Sequence, residues 1–273
     1  MRRAVGAALV FAAAAVAFGF LLIPIVAIFA RVPPGKLAAQ LVNPVVTDAL
    51  AISLKTTAIA QALVLLFGTP TAYLLATRRF RGRQLAITAV ELPLVLPPAV
   101  AGIGLIAAFG RFGLLGSSLS AVGIELGLTQ AAVVMAIAFV SSPLYIRQAI
   151  AAFEAVDPHL VAASRTLGAG RGRTFFRVVL PLARNGLAAG EALAFARGLG
   201  EFGATIMFAG SLQGVTQTLP LAIYNEFAVD FSVTLAMSAL LVVVSAALLV
   251  ALKVALQWTP SRSTSRFLFA ASR

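Results

Sequence analysis

The amino-acid sequence predicts an all-α integral membrane protein of about six transmembrane helices with both termini in the cytoplasm. Three observations lead there. Hydrophobic residues fill 60% of the 273 positions and charged residues only 11%, with a mean hydropathy of +1.00, where soluble domains run near roughly 45–50% and 25%. Six apolar runs reach the roughly 20 residues that a helix needs to cross about 30 Å of hydrocarbon. Basic residues gather in alternate gaps between those runs, the pattern of segments retained in the cytoplasm during insertion. The chain therefore reads as one transmembrane unit, 1–273.

The first run covers residues 4–30. Arg2 and Arg3 precede it as in a secretory signal, but it far exceeds the roughly 7–15 apolar residues of such signals and is expected to remain as a span. Residues 56–77 form the second run, uncharged throughout. The third, about 92–110, holds Pro93, Pro97 and Pro98, whose missing N–H groups and ring clashes predict a bend or break in its first turns. The fourth is about 129–146, the fifth about 187–209 and the sixth 231–252. The fifth alone carries charge: Glu191, Arg197 and Glu201.

With the N-terminus inside, sixteen of the 21 basic residues fall on the cytoplasmic side. They are Arg2 and Arg3; Arg78, Arg79, Arg81 and Arg83; Arg147, Arg165, Arg171, Arg173, Arg177 and Arg184; and Lys253, Arg262, Arg266 and Arg273. Only Arg31, Lys36, Lys55 and Arg111 lie outside, with Arg197 inside a span. This bias accounts for the formal charge of +12 as positive-inside topology, and no nucleic-acid partner is implied.

The cytoplasmic segment between spans four and five, about 147–184, carries the clearest local signals. Asp157 followed by Pro158 reads as an N-cap with proline in the first turn. The helix runs on through Ala162, Ala163, Ser164, Arg165, Thr166 and Leu167 and ends at Gly168 as a left-handed residue. Beyond Ala169 and Gly170, residues 173–180 predict a second helical piece closed by Pro181. Two readings fit this pattern: an amphipathic helix lying among lipid headgroups, or a docking element for a cytoplasmic partner.

Ionisable groups at bilayer depth cost on the order of 2.5–3.5 kcal/mol each, so those of span five are expected to face protein or a water-filled path. Arg197 and Glu201, four apart, share a helix face and can neutralise each other. Glu191 sits near the cytoplasmic end, within reach of headgroups. Pairing between helices and lining of a conduction path are both open here. Gly186 and Gly190 form a GxxxG that lets a neighbouring helix approach.

Other chemistry is thinly represented. The sequence has no cysteine, which excludes disulfides, thiolate metal sites and cysteine nucleophiles. The one histidine, His159, follows Asp157 and Pro158 as a solvated helix-start residue, and a metal centre built from histidines is excluded. Gly198, Gly200 and Gly203 spell GxGxxG, but without a preceding strand the match is accidental. A GxxxxGK[ST] loop is absent, since the only Gly-Lys pair, Gly35 and Lys36, is followed by Leu37. ATP-driven work would require another chain to bind the nucleotide. The nucleophile-and-base sets, paired carboxylates or metal clusters of a membrane enzyme are missing too.

The loop resembles the cytoplasmic signature of the permease subunit of an ABC importer, in which Glu-Ala-Ala is followed by Gly, an aliphatic and Leu-Pro at fixed spacing. Ala163 and Ser164 take the small positions, Gly168 the glycine, Val178 the aliphatic, and Leu180 with Pro181 the closing pair. The acid is absent, its place taken by Ala162 after Val161. Three further segments, 165–171, 195–207 and 217–224, and the proline-rich stretch 92–102, are similar to molybdate permeases. Sulfate and thiosulfate permeases share the Leu-Gly-Glu-Phe-Gly theme found at 199–203 and are the nearest alternative.

The resemblance implies a type I ABC importer permease fold in a prokaryotic inner membrane. It implies a homodimer, two cytoplasmic ABC ATPase subunits that bind ATP and Mg²⁺, no cofactor in this chain, and an extracytoplasmic oxyanion-binding protein. The loop helix from Ala162 to Gly170 would enter a cleft of each ATPase. The gate is expected to be apolar and shaped near Arg197, Glu201, Phe202 and Gly203, because conduction requires weak binding. An ion-coupled secondary transporter is the alternative of another class; Glu191, Arg197 and Glu201 would have to supply its midplane site.

Overall fold

The computed structural model describes residues 2–40 and 42–257, and every regular element among them is helical. Arg262, Arg266 and Arg273 lie outside the described residues. In chain order the helices are α1 Arg2–Arg31, α2 Pro34–Gln40, α3 Pro44–Thr77, α4 Arg83–Val95, α5 Pro98–Phe109, α6 Gly116–Ala121, α7 Gln130–Glu154 and α8 Pro158–Thr166. They continue as α9 Arg171–Thr174, a π turn Phe175–Val179, α10 Leu180–Leu199, α11 Gly203–Ala209, α12 Leu219–Glu226 and α13 Phe231–Gln257.

Helices α1, α3, α7 and α13 are long and apolar enough to cross a membrane, and α4 with α5 passes the same test as a pair bent by 115°, the geometry of a broken span or a re-entrant loop. The break falls at Leu96 and Pro97, where the predicted prolines stand. Helix α10, 20 residues long, extends about 30 Å but is not among the helices apolar enough to cross, so the six expected crossings become four helices and one bent pair among the described residues. Glu191 and Arg197 on it are half-buried and Arg184 is exposed. The hydrophobic window of α1 has no residue buried inside the protein, so the rest of the described chain leaves its apolar surface uncovered.

The observed boundaries correct several expectations. Helix α3 begins at Pro44 rather than residue 56, carrying Asp48 and Lys55 within it, because the Asn43 side chain accepts from Val45 N at 3.0 Å and starts the helix outside the apolar stretch. Helix α4 begins already at Arg83. Helix α7 continues past residue 146 to Glu154, so Arg147 is helical and pairs with Glu91 of α4 at 3.5 Å. The segment 147–184 thus narrows to residues 155–179. Pro181 closes nothing: the chain stays helical across it through the π turn, with Leu180 N bonding Phe175 O. A π turn widens the helix where an α turn would press the proline ring against the carbonyl four residues back.

The centre of the molecule is α7, packed between α3 and α10. One stripe of α10, Ala183, Leu187, Gly190, Ala194 and Gly198, is buried, following the i, i+4, i+7 rhythm of a packed helix face. Of the GxxxG, Gly190 lies on this stripe and the half-buried Gly186 borders it. A Cβ on Gly186 would stand 2.5 Å from the Ala152 Cβ, and one on Gly190 would stand 2.8 Å from the Gln148 Cβ. Overpacking of this kind costs about 1–3 kcal/mol. Gly186→Leu is therefore expected to lower the melting temperature of the purified protein, whereas Gly104→Leu, where a Cβ meets nothing within 4 Å, is not; equal melting temperatures would refute the close contact.

Polar side chains on α3 tie the bundle together. Gln61 Nε2 donates to Ser141 Oγ of α7 and to the Ala194 carbonyl of α10, both at 3.1 Å, and Ser53 Oγ accepts from Leu219 N at 2.7 Å. In a lipid surround, where greasy surface gives helices no preference for one another, such bonds fix partner and depth.

Candidate functional site

Two sites emerge, joined by one helix. The first is α8. The Asp157 carboxylate accepts from His159 N at 2.8 Å, with Pro158 in the first turn. At the other end Gly168 N bonds the Arg165 carbonyl at 3.0 Å and Ala169 N bonds the Ser164 carbonyl at 3.1 Å. These two bonds form a Schellman motif, and Gly168 has φ +82°. Ala162, Ala163, Ser164, Arg165 and Thr166 lie within the helix, Leu167 is its C-cap, and Ala169 and Gly170 form the link to α9. The helix is thus closed at both ends by hydrogen bonds.

Ser164 fastens that helix to the rest. Its hydroxyl lies 3.1 Å from Thr174 Oγ1, and Thr174 is buried at 1% exposure in the stretch that runs through the π turn into α10. Beneath α8 the rings of Tyr73, Phe153 and Phe175 pack edge-on and tilted, with centroids 4.7–6.2 Å apart. Arg83 adds a brace: it donates to the Leu75 carbonyl and to Glu154 at the end of α7. Through the Ser164–Thr174 contact α8 is joined to the helical stretch from Arg171 to Leu199.

The far end of that stretch is the second site. Helix α10 stops at Gly200, and span five, expected unbroken to residue 209, resumes only as the short α11. Arg197 Nη1 meets Glu201 Oε2 at 2.6 Å, so the predicted pair forms, although Glu201 lies beyond the helix. Glu201 Oε1 accepts from Ala204 N at 2.8 Å, and the side chain is 1% exposed. One buried carboxylate neutralises the arginine and holds the first turn of α11. The Phe202 ring lies 5.0 Å from that of Tyr224 on α12. Gly203 abuts Pro98 at the start of α5, and any Cβ on it would collide with the proline ring. On the same pair of helices, a Cβ on Gly102 would fall 2.6 Å from that of Met207.

The structure thus brings Arg197, Glu201, Phe202 and Gly203 together with Pro98, Gly102 and Tyr224, three residues the sequence reading did not assign to this place. Pro98 was legible only as a helix breaker, because its contact with Gly203 joins segments a hundred residues apart. Glu191 is half-buried, with its Oε2 enclosed and without a hydrogen-bond partner among the described residues. Two other residues went unassigned in the sequence, Thr174 and Leu160. Leu160, 47% exposed, shares an outer face of α8 with Ala163 and Leu167, the last 88% exposed; the i, i+3, i+7 spacing was the available signal.

Residues 65–262 match the family model of the binding-protein-dependent transport system inner membrane component. The chain belongs to this family. As an inner membrane component of a transport system it is a multi-pass membrane protein and a transport component. It is 47% identical over 229 residues to the molybdenum transport system permease protein ModB of Mycobacterium tuberculosis, covering 83% of this chain and 86% of that one. It is 35% identical to the probable transport system permease protein NifC of Clostridium pasteurianum, covering 92% and 88%. Among solved structures, the fold of this inner membrane component is similar to a bacterial ABC transporter for the acidic polysaccharide alginate, with TM-score 0.71, 15% identity and coverage of 92% and 96%. The inward-facing MetNI methionine ABC transporter gives TM-score 0.62 at 19% identity, covering 78% and 95%.

Proposed function

We propose that this chain is the membrane-spanning subunit of an ATP-driven importer that carries molybdate across the inner membrane. The substrate rests on the ModB relatives. The coupling mechanism rests on one observation: a helix capped at both ends, α8, is bonded through Ser164 and Thr174 to a helical stretch that ends at Arg197 and Glu201. A cytoplasmic ABC ATPase would bind ATP and Mg²⁺ and grip α8 along Leu160, Ala163 and Leu167. Two such ATPases, a second copy of this chain and an extracytoplasmic oxyanion-binding protein complete the assembly. This chain contributes no nucleotide site.

Closure of the ATPases would draw α8 inward, and the Ser164–Thr174 contact passes that movement to α10 and the junction with α11. There Phe202, Gly203 and Pro98 close a gate of apolar contacts, while Glu201 holds Arg197 in a neutral pair. Such a gate offers a dianion no deep cationic trap, in keeping with rapid release.

The test is uptake into proteoliposomes holding this chain with its ATPase, supplied with the binding protein and labelled molybdate. Uptake is expected only with ATP inside the ATPase compartment and to survive collapse of every ion gradient. Accumulation driven by an ion gradient without ATPase would overturn the proposal, and preference for sulfate over molybdate would overturn the substrate.

A further inference from the structure

The face of α8 opposite the one proposed for the ATPase lines a cavity of about 790 Å³ between the ends of α3 and α7. Pro158, Val161, Ala162 and Arg165, spaced i, i+3, i+4, i+7, form one wall. The cavity's aromatic lining comes from Tyr73 and Phe153, and its basic groups are Arg78, Arg79, Arg83, Arg165 and Arg171. The only acid there, Glu154, is taken by Arg83. The other four guanidinium groups have no ion pair or hydrogen bond among the described residues. Two segments predicted to share the cytoplasmic side, 78–83 and 165–171, thus converge on one cavity.

Four like charges around a shared space repel one another, and positive-inside topology explains their side of the membrane but not their convergence. A bound anion would relieve it. The cavity's place selects the kind: it opens where the membrane-length helices α3 and α7 end, and it joins an aromatic surface to a basic rim. A free anion has no use for the aromatic surface, whereas an amphiphile does. Basic pockets between spans at the cytoplasmic face are suited to anionic headgroups.

We propose that this cavity binds the phosphate headgroup of an anionic phospholipid, which braces α8 from behind. The bound lipid and the ATPase occupy opposite faces of α8, so lipid composition sets the stiffness of the coupling lever.

The assembled transporter, purified from membranes, is exchanged into phosphatidylcholine with or without phosphatidylglycerol, and retained lipid is counted by native mass spectrometry. Retention of phosphatidylglycerol is expected, falling about fivefold for each of Arg78→Gln, Arg79→Gln, Arg165→Gln and Arg171→Gln. Arg177→Gln, outside the cavity, is expected to leave it unchanged, and Arg165→Lys to restore most of it. Equal retention in the variant lacking all four arginines would overturn the proposal, as would displacement of the lipid by inorganic phosphate or molybdate, which assigns the cavity to a soluble anion. Loss of retention whenever the ATPase is bound would overturn it too, assigning the arginines to an acidic surface of that subunit. The count requires no transport, so its failure leaves the importer reading intact.

Discussion

Replacing Glu201 with alanine is expected to destabilise the protein by about 3 kcal/mol and to disable transport. Removing one partner of a buried ion pair costs about 3–5 kcal/mol because the remaining charge is left without compensation. The low end applies here: Glu201 is 1% exposed, but Arg197 is 34% exposed and keeps some access to water. The same carboxylate also accepts from Ala204 N, so its loss frees the first turn of α11 as well. Thermal unfolding of the solubilised protein reads the first effect, and labelled uptake the second. The double variant Arg197→Leu with Glu201→Leu removes both charges and is expected to recover most of the melting temperature, since apolar replacement of a buried pair is often neutral. An unchanged melting temperature for Glu201→Ala would remove the pair from any structural role.

The second large effect belongs to Gly168. Its φ of +82° lies in the left-handed region, and a Cβ there would meet nothing within 4 Å, so a substitution acts through backbone strain alone. A non-glycine residue in that conformation costs on the order of 1–2 kcal/mol, more for a β-branched side chain. If the turn relaxes, the two bonds from Gly168 N and Ala169 N that close α8 are lost with it. Gly168→Val is expected to leave ATP hydrolysis largely intact while uptake per ATP falls about tenfold, the consequence of roughly 1.4 kcal/mol in a coupling equilibrium. Gly168→Asn, whose side chain tolerates the left-handed region, is expected to stay near the parent. The ratio of labelled molybdate imported to phosphate released decides it; a valine variant with a normal ratio would rule out the rigid lever.

The two sites differ in how legible they were. For α8 every determinant is local: Asp157, Pro158 and Gly168 set the ends of the helix, and the structure departs only in making Leu167 the cap rather than the last helical residue, within ordinary boundary variation. The junction of α10 with α11 is another matter. Sequence spacing put Arg197 and Glu201 on one helix, and the pair forms even though the helix has already ended at Gly200. The glycine-rich stretch 198–203 yields to its contact with Pro98, which no local pattern announces. The π turn before Pro181 escaped for a related reason, since a proline at the edge of an apolar run reads as a stop and only packing of the flanking turns keeps the chain helical there.

By itself the sequence determined that the chain is an all-helical membrane protein and where a short capped helix stands between its long apolar helices. Each of these depends on residues near one another in the chain, through hydropathy, charge and backbone preference. The tertiary structure alone decided that α10 packs on α7 through Gly186 and Gly190, that Ser164 holds Thr174, that Pro98 meets Gly203, and that four arginines from distant segments face one cavity. Those are meetings of residues far apart in sequence, and they follow from side-chain shape and the satisfaction of buried polar groups, properties that exist only once the helices have chosen their neighbours.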